Sequence, residues 1–212
     1  MLISWKAGGV DDIRTDMKSE ENLRNAIRQI PISDYADDIA DILYESLNSN
    51  SDIPYEHIRR LAGENAEDVI LIASERRLII PEGKDLSWKS SEYLFRDEKY
   101  YIPWVVKEAA KRGCETGSWE PEYAIHAYFK RIKEPLGEIM PEYFNEIKRN
   151  ARYGKISGKE IKGIASRFKM GTEDKIGVLI AECKAAGLIN PHFSFVLGLK
   201  EKDVTYELHP CF

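Results

Sequence analysis

Cysteine is scarce in this chain: Cys114, Cys183 and Cys211 are the only three in 212 residues, with no CxxC pair among them. An odd number of widely spaced thiols excludes a disulfide framework and points to reduced cysteines in a cytoplasmic protein. Long apolar runs are missing as well; none approaches the ~20 residues that a membrane-spanning helix needs, so no membrane partner is expected. The opening "MLISWKAGGVDD" turns acidic too soon for a signal peptide. Histidine is equally sparse. His57, His126, His192 and His209 are scattered, and although His209 and Cys211 flank Pro210, two ligands fall short of a zinc site. No metal and no cofactor are therefore expected.

Catalytic signatures are also lacking. "GKISGKE" (154–160) has the glycines and lysines of a phosphate-binding loop at the wrong spacing, with no Ser or Thr after Lys159, so it reads as a turn before a helix. Neither Cys114 nor Cys183 has a histidine nearby in sequence, and Cys183 lies on an apolar stripe where a buried thiol is ordinary. Asp34, Asp37, Asp38 and Asp41 read as an acidic, solvated helix face before a cation site. The chain is not expected to be an enzyme.

What is present is an ordinary globular composition, 43% hydrophobic and 32% charged, with its charge unevenly placed. Residues 1–106 carry 13 basic and 21 acidic side chains; residues 107–212 carry 18 and 15. The basic excess gathers in 148–175, where Lys148, Arg149, Arg152, Lys155, Lys159, Lys162, Arg167, Lys169 and Lys175 face only Glu160, Glu173 and Asp174. A polyanion would meet the protein there.

The apolar periodicity predicts helices throughout. Ser19 reads as an N-cap for a short helix that Pro31 stops. From Ser33, Ala36, Ile39, Ala40, Ile42, Leu43 and Leu47 share one face. "PYEHIRRLAG" and "NAEDVILIASERR" follow as two more helices, and the strand-like "LIIP" closes the run. Tyr93 and Phe95, a charged tip RDEK (96–99), and Tyr100 to Ile102 then read as a β-hairpin. The pattern recurs further on. "PEYFNEIKRNARYG", "GKEIKGIASRFKM" capped by Ser157, and "EDKIGVLIAECKAAG" capped by Thr172 lead to "LINP", then to a hairpin over 192–209 with the tip KEKD (200–203). IRRLA (58–62) and IKGIA (161–165) hold matching places. Between the copies, "PWVVKEAAKRG" and "PEYAIHAYFKRIK" read as helices, the first ending at Gly113. Trp119, Tyr123, Tyr128 and Phe129 there read as packing, with self-association into a homodimer as the second reading.

Three helices followed by a hairpin, written twice, resemble the winged-helix superfamily in tandem. The fold expectation is mainly α with small β-hairpins (α+β). It divides into an N-terminal extension with a short helix (1–32), a first winged-helix-like unit (33–105), a helical linker (106–135) and a second unit (136–212). The resemblance implies that the third helix of each unit, 65–77 and 173–186, reads the DNA groove while the hairpin tips touch phosphates. Glu64, Glu67 and Asp68 give the first of these helices the wrong sign for phosphate. The functional expectation is accordingly a DNA-binding protein, a transcriptional regulator of the helix-turn-helix type, that binds through the nine basic residues of its second unit. The alternative is an adaptor that binds a protein partner through the acidic first unit.

Overall fold

The computed structural model describes residues 10–32, 34–47, 52–82, 99–192 and 204–212, with side chains from Met17 onward. It is mostly helical with two small antiparallel sheets, an α+β chain. Helix α1 (Val10–Ile27) comes first. A first series then runs α2 (Ala36–Ser46), β1 (Ile53–Pro54), α3 (Tyr55–Ala62), α4 (Ala66–Glu75), β2 (Ile80–Pro81) and β3 (Lys99–Tyr101). Helices α5 (Trp104–Thr116) and α6 (Pro121–Arg131) intervene. The second series repeats the first in order: α7 (Met140–Asn150), β4 (Lys155–Ser157), α8 (Gly158–Arg167), α9 (Glu173–Ala186), β5 (Ile189–His192) and β6 (Thr205–Leu208). The strand orders β1-β3-β2 and β4-β6-β5 correspond as well.

The pairing explains why the chain twice writes Leu, Ile, a third residue and Pro. Ile80 pairs with Tyr101 and Pro81 with Tyr100, while Pro191 pairs with Tyr206. Proline has no N–H to give a central ladder, so it belongs on an edge strand, and β2 and β5 are both edges. The hairpin expectation needs correction here. The strand-like "LIIP" ends in the first strand of the pair, and Lys99, expected in the tip, lies in β3. Tyr93, Phe95, residues 96–98 and the tip 200–203 lie outside the described residues. The strands β1 and β4 were not foreseen; each buries one isoleucine, Ile53 or Ile156, beside the buried tyrosine of the central strand, Tyr100 or Tyr206.

Three boundaries also move. Ser19 sits inside α1 and caps nothing, because Leu23, Ala26 and Ile27 bury the helix against α5 and α2. Residues 23–30, expected to lie in an extension, are thus packed into the body of the protein. Gly113 does not end α5, which runs on to Thr116 and stops at the left-handed Gly117. Its role is close approach: a Cβ there would lie 3.0 Å from the Ala26 Cβ and 3.1 Å from Leu23. Gly154 likewise lies beyond α7, in a turn. The acidic face of α2 is partly spent in ion pairs. Arg24 meets Asp41 at 2.9 and 3.2 Å, and Arg28 grips Asp37 through two bonds of 2.8 Å, which holds that carboxyl below its usual range.

One apolar core runs from Leu23 to Phe212 through both series. Helix α5 packs on α1, α2, α6 and α9. Gly187, the left-handed cap of α9 at φ 87°, is pressed so closely on Pro103 that a Cβ would stand 2.6 Å from the proline Cβ. The C-terminal residues close the other side of the junction. The Cys211 N–H donates to His209 Nδ1 (3.1 Å), so the proton resides on Nε2, which donates to the Arg77 carbonyl (3.0 Å). Cys211 Sγ donates to the Arg76 carbonyl (3.3 Å), and the Trp119 indole donates to the Cys211 carbonyl (3.0 Å). Phe212 packs edge-on against both His209 and Trp119.

Two outcomes follow from this junction. Gly187→Ala should cost about 2–4 kcal/mol, combining left-handed strain with the collision at Pro103, as read by urea unfolding. Burial pushes the His209 imidazole down to about 3, so the folded chain refuses a proton that the unfolded chain accepts at the ordinary value of 6.5. Its stabilisation is complete above pH 6.5 and fades as pH falls toward the folded value. His209→Gln should therefore shrink the stability difference between pH 7.5 and pH 5 by about 2 kcal/mol.

Candidate nucleic-acid interface

The nine cations predicted to meet a polyanion divide into two kinds. Four are paired locally, with three carboxylates between them. Lys155 Nζ lies 3.5 Å from Glu207, Lys162 lies 3.4 Å from Glu173, and Arg149 and Arg167 share Glu146 at 3.4 and 3.3 Å. The Lys162 side chain is also only 20% exposed. The other five, Lys148, Arg152, Lys159, Lys169 and Lys175, have no ion pair among the described residues. All but the half-buried Lys175 are exposed. A cation already held by a carboxylate gains little from a phosphate, so this second group carries the binding capacity.

The positions follow from local structure. Helix α7 ends at Asn150 and the chain reverses over Arg152–Lys155, with Arg152 N–H donating to the Lys155 carbonyl (2.8 Å) and Lys155 N–H returning a bond of 3.0 Å. Tyr153 (φ 53°) and Gly154 (φ 71°) are both left-handed, the geometry of a type I′ turn. Leu208 N–H donates to the Gly154 carbonyl (2.8 Å) and ties the turn to β6. Tyr153 at the tip is fully exposed. Sequence reasoning missed it, because Gly154 looked like a helix stop and the turn it forms with Tyr153 requires the β4–β6 pairing. Immediately beyond, Ser157 and Glu160 form a capping box: Glu160 N–H donates to Ser157 Oγ (3.2 Å) and Ser157 N–H to Glu160 Oε2 (3.0 Å). That fixes the first turn of α8 and hence Lys159. Arg152 adds to the forces that hold the Glu160 carboxyl below its usual range, after the Ser157 hydrogen bonds.

The two helices expected to read bases offer little for that task. Helix α4 presents Glu67, Asp68 and Glu75 to solvent, and α9 opens with the exposed Glu173 and Asp174. Along its outward face α9 shows Val178, Ala181 and Ala185, with Lys184 beside them. None of the three can form the paired hydrogen bonds that discriminate base edges. Tyr123 and Trp104, in the helices between the two series, are each 41% exposed, but each carries a cation on its ring: Arg112 at 4.6 Å and Arg131 at 4.1 Å. Tyr128 and Phe129 are core residues.

The remaining candidates for chemistry are drawn into packing. Burial raises the thiols of Cys114 to about 11 and of Cys183 and Cys211 to about 12. His209 and Cys211 are engaged in the junction. Among the described residues no group of three or more His, Cys, Asp or Glu side chains is placed to hold a metal ion, and no helix is long and apolar enough to cross a membrane.

The chain belongs to a protein family whose model matches residues 21–212; the family description names no activity. No curated protein and no solved structure matches it.

A bulky aromatic residue at the first central position of a type I′ turn is a poor local choice, since asparagine tolerates the left-handed conformation better. Tyr153→Asn should raise stability by about 0.5–1 kcal/mol in urea unfolding, which would mark Tyr153 as kept for a reason other than folding.

Proposed function

We propose that the two series are winged-helix units in tandem and that the protein binds DNA through the second of them, by phosphate contacts more than by base reading. The observation that carries this reading is the exposed turn Arg152–Lys155, where Tyr153 stands between the uncompensated cations Lys148, Arg152 and Lys159. Lysine and arginine without a local acid release counterions when they meet phosphate, and an exposed tyrosine adds sugar or base contact. With Gly177, Val178, Ala181 and Ala185 along the outer side of α9, discrimination between sequences rests on shape and on few direct contacts. A role in transcription would then depend on where the protein is recruited as well as on the site it covers.

A second reading is favoured by two surfaces. The outward side of α4 is acidic and that of α9 is apolar, and both suit a protein partner better than a phosphate backbone. In that reading the chain is a tandem winged-helix adaptor.

Fluorescence anisotropy with a labelled mixed-sequence duplex separates the two. Binding should weaken steeply with salt. Changing Lys148, Arg152 and Lys159 together to Gln should lower the slope of log K against log salt by about three. Lys155→Gln with Lys162→Gln should change it far less, because Glu207 and Glu173 already hold those lysines. Tyr153→Asn should weaken binding while leaving the salt slope in place. No binding of the unaltered chain at low salt would give the adaptor reading first place.

A further inference from the structure

A cleft of about 420 Å³ opens where the end of α4 meets the Arg152–Lys155 turn and the C-terminal residues. Its size lies within the range of small-molecule sites. Cations enter it from both series: Arg77 from the end of α4, Lys148 from α7 and Lys155 from β4. Leu208, Pro210 and Phe212 supply an apolar wall. Two acids also line it. Glu207 is already engaged, with Lys155 at 3.5 Å and His192 Nδ1 at 2.6 Å, and Glu75 is exposed.

Arg77 is the least ordinary of these groups. Its backbone is left-handed at φ 61°, its carbonyl accepts the His209 Nε2 proton, and one guanidinium nitrogen donates to the Ser74 carbonyl at 3.1 Å. Burial pulls the guanidinium down to about 10 against the opposing pull of Glu207 and Glu75. A guanidinium carries five donors in a fork that matches the oxygens of a carboxylate or phosphate. His209 is held neutral and its two nitrogens are both committed, so it neither repels nor competes for an anion.

We propose that this cleft binds a small organic oxyanion, a carboxylate or a phosphate monoester on an apolar or aromatic body. Arg77 and Lys148 meet the charge; Leu208, Pro210 and Phe212 meet the body. Tyr153, Lys148 and Lys155 border the cleft and also belong to, or flank, the turn proposed to touch DNA. A bound anion neutralises that turn and releases DNA. This last consequence rests on the DNA-binding reading; occupancy of the cleft does not.

The Trp119 indole proton reports the site, since it bonds the Cys211 carbonyl and the ring packs on Phe212. Its ¹H–¹⁵N resonance in the full chain is followed during titration with benzoate, with phenyl phosphate and with neutral benzyl alcohol, at constant ionic strength. A saturable shift with at least one anion, and none of comparable affinity with benzyl alcohol, is expected; which anion binds more tightly distinguishes a carboxylate ligand from a phosphate ester. Arg77→Gln should weaken that binding about tenfold. Lys148→Gln, an exposed change that leaves the junction intact, should weaken it several-fold. The absence of saturation with both anions, equal binding of benzyl alcohol, or unchanged affinity in Lys148→Gln would overturn the proposal. Failure to bind DNA leaves this titration readable, whereas anion binding without release of prebound duplex removes only the competition.

Discussion

The neutral His209 imidazole, buried between the two series with one nitrogen on the Arg77 carbonyl and the other taking the Cys211 N–H, is the contact on which the arrangement of the molecule turns. A charged ring there would place an uncompensated cation in the core, where Arg77 also disfavours it. Because the ring is neutral, the last four residues can fold across the end of α4, bring Phe212 onto Trp119 and seal the junction. The opposite side is closed by Gly187 against Pro103, where no side chain could fit. Between these two contacts α5 touches both series, and a single core results.

That packing decides how charge is displayed. The acids of α4 and the cations around Arg152–Lys155 share one core, and Glu75 of α4 lines the same cleft as Lys148 and Lys155. Ion pairing then selects among the cations. Glu146, Glu173 and Glu207 each hold one or two, and Lys148, Arg152, Lys159, Lys169 and Lys175 have no ion pair among the described residues. The same junction creates the cleft, whose walls come from sequence positions some 70 to 135 residues apart.

Much of the local structure was legible in the sequence because it is local chemistry. Ser157 and Thr172 cap their helices as read, since each side-chain oxygen lies within reach of an N–H only three residues on. The repeated order of elements was visible in its stripes and caps. Signals with two meanings misled. Gly113 and Gly154 looked like helix stops, but one admits Ala26 and the other completes a turn with Tyr153. Ser19 looked like a cap, but nothing in its neighbourhood could show that the helix begins at Val10 and buries Leu23 and Ala26 against α5.

The sequence by itself determined the helices, the caps of α8 and α9, the twofold recurrence of their order and the excess of positive charge in 148–175. Each of these depends on residues a few positions apart, whose spacing alone sets which face they share. Tertiary structure alone decided that LIIP and LINP end in edge strands, that four of the nine cations are ion-paired, that Tyr153 stands exposed, and that Arg77 and Lys155 line one cleft. These properties depend on strand register and on carboxylates brought from distant parts of the chain, and pairing energy at a few ångströms is fixed by where the backbone goes, which no local spacing specifies.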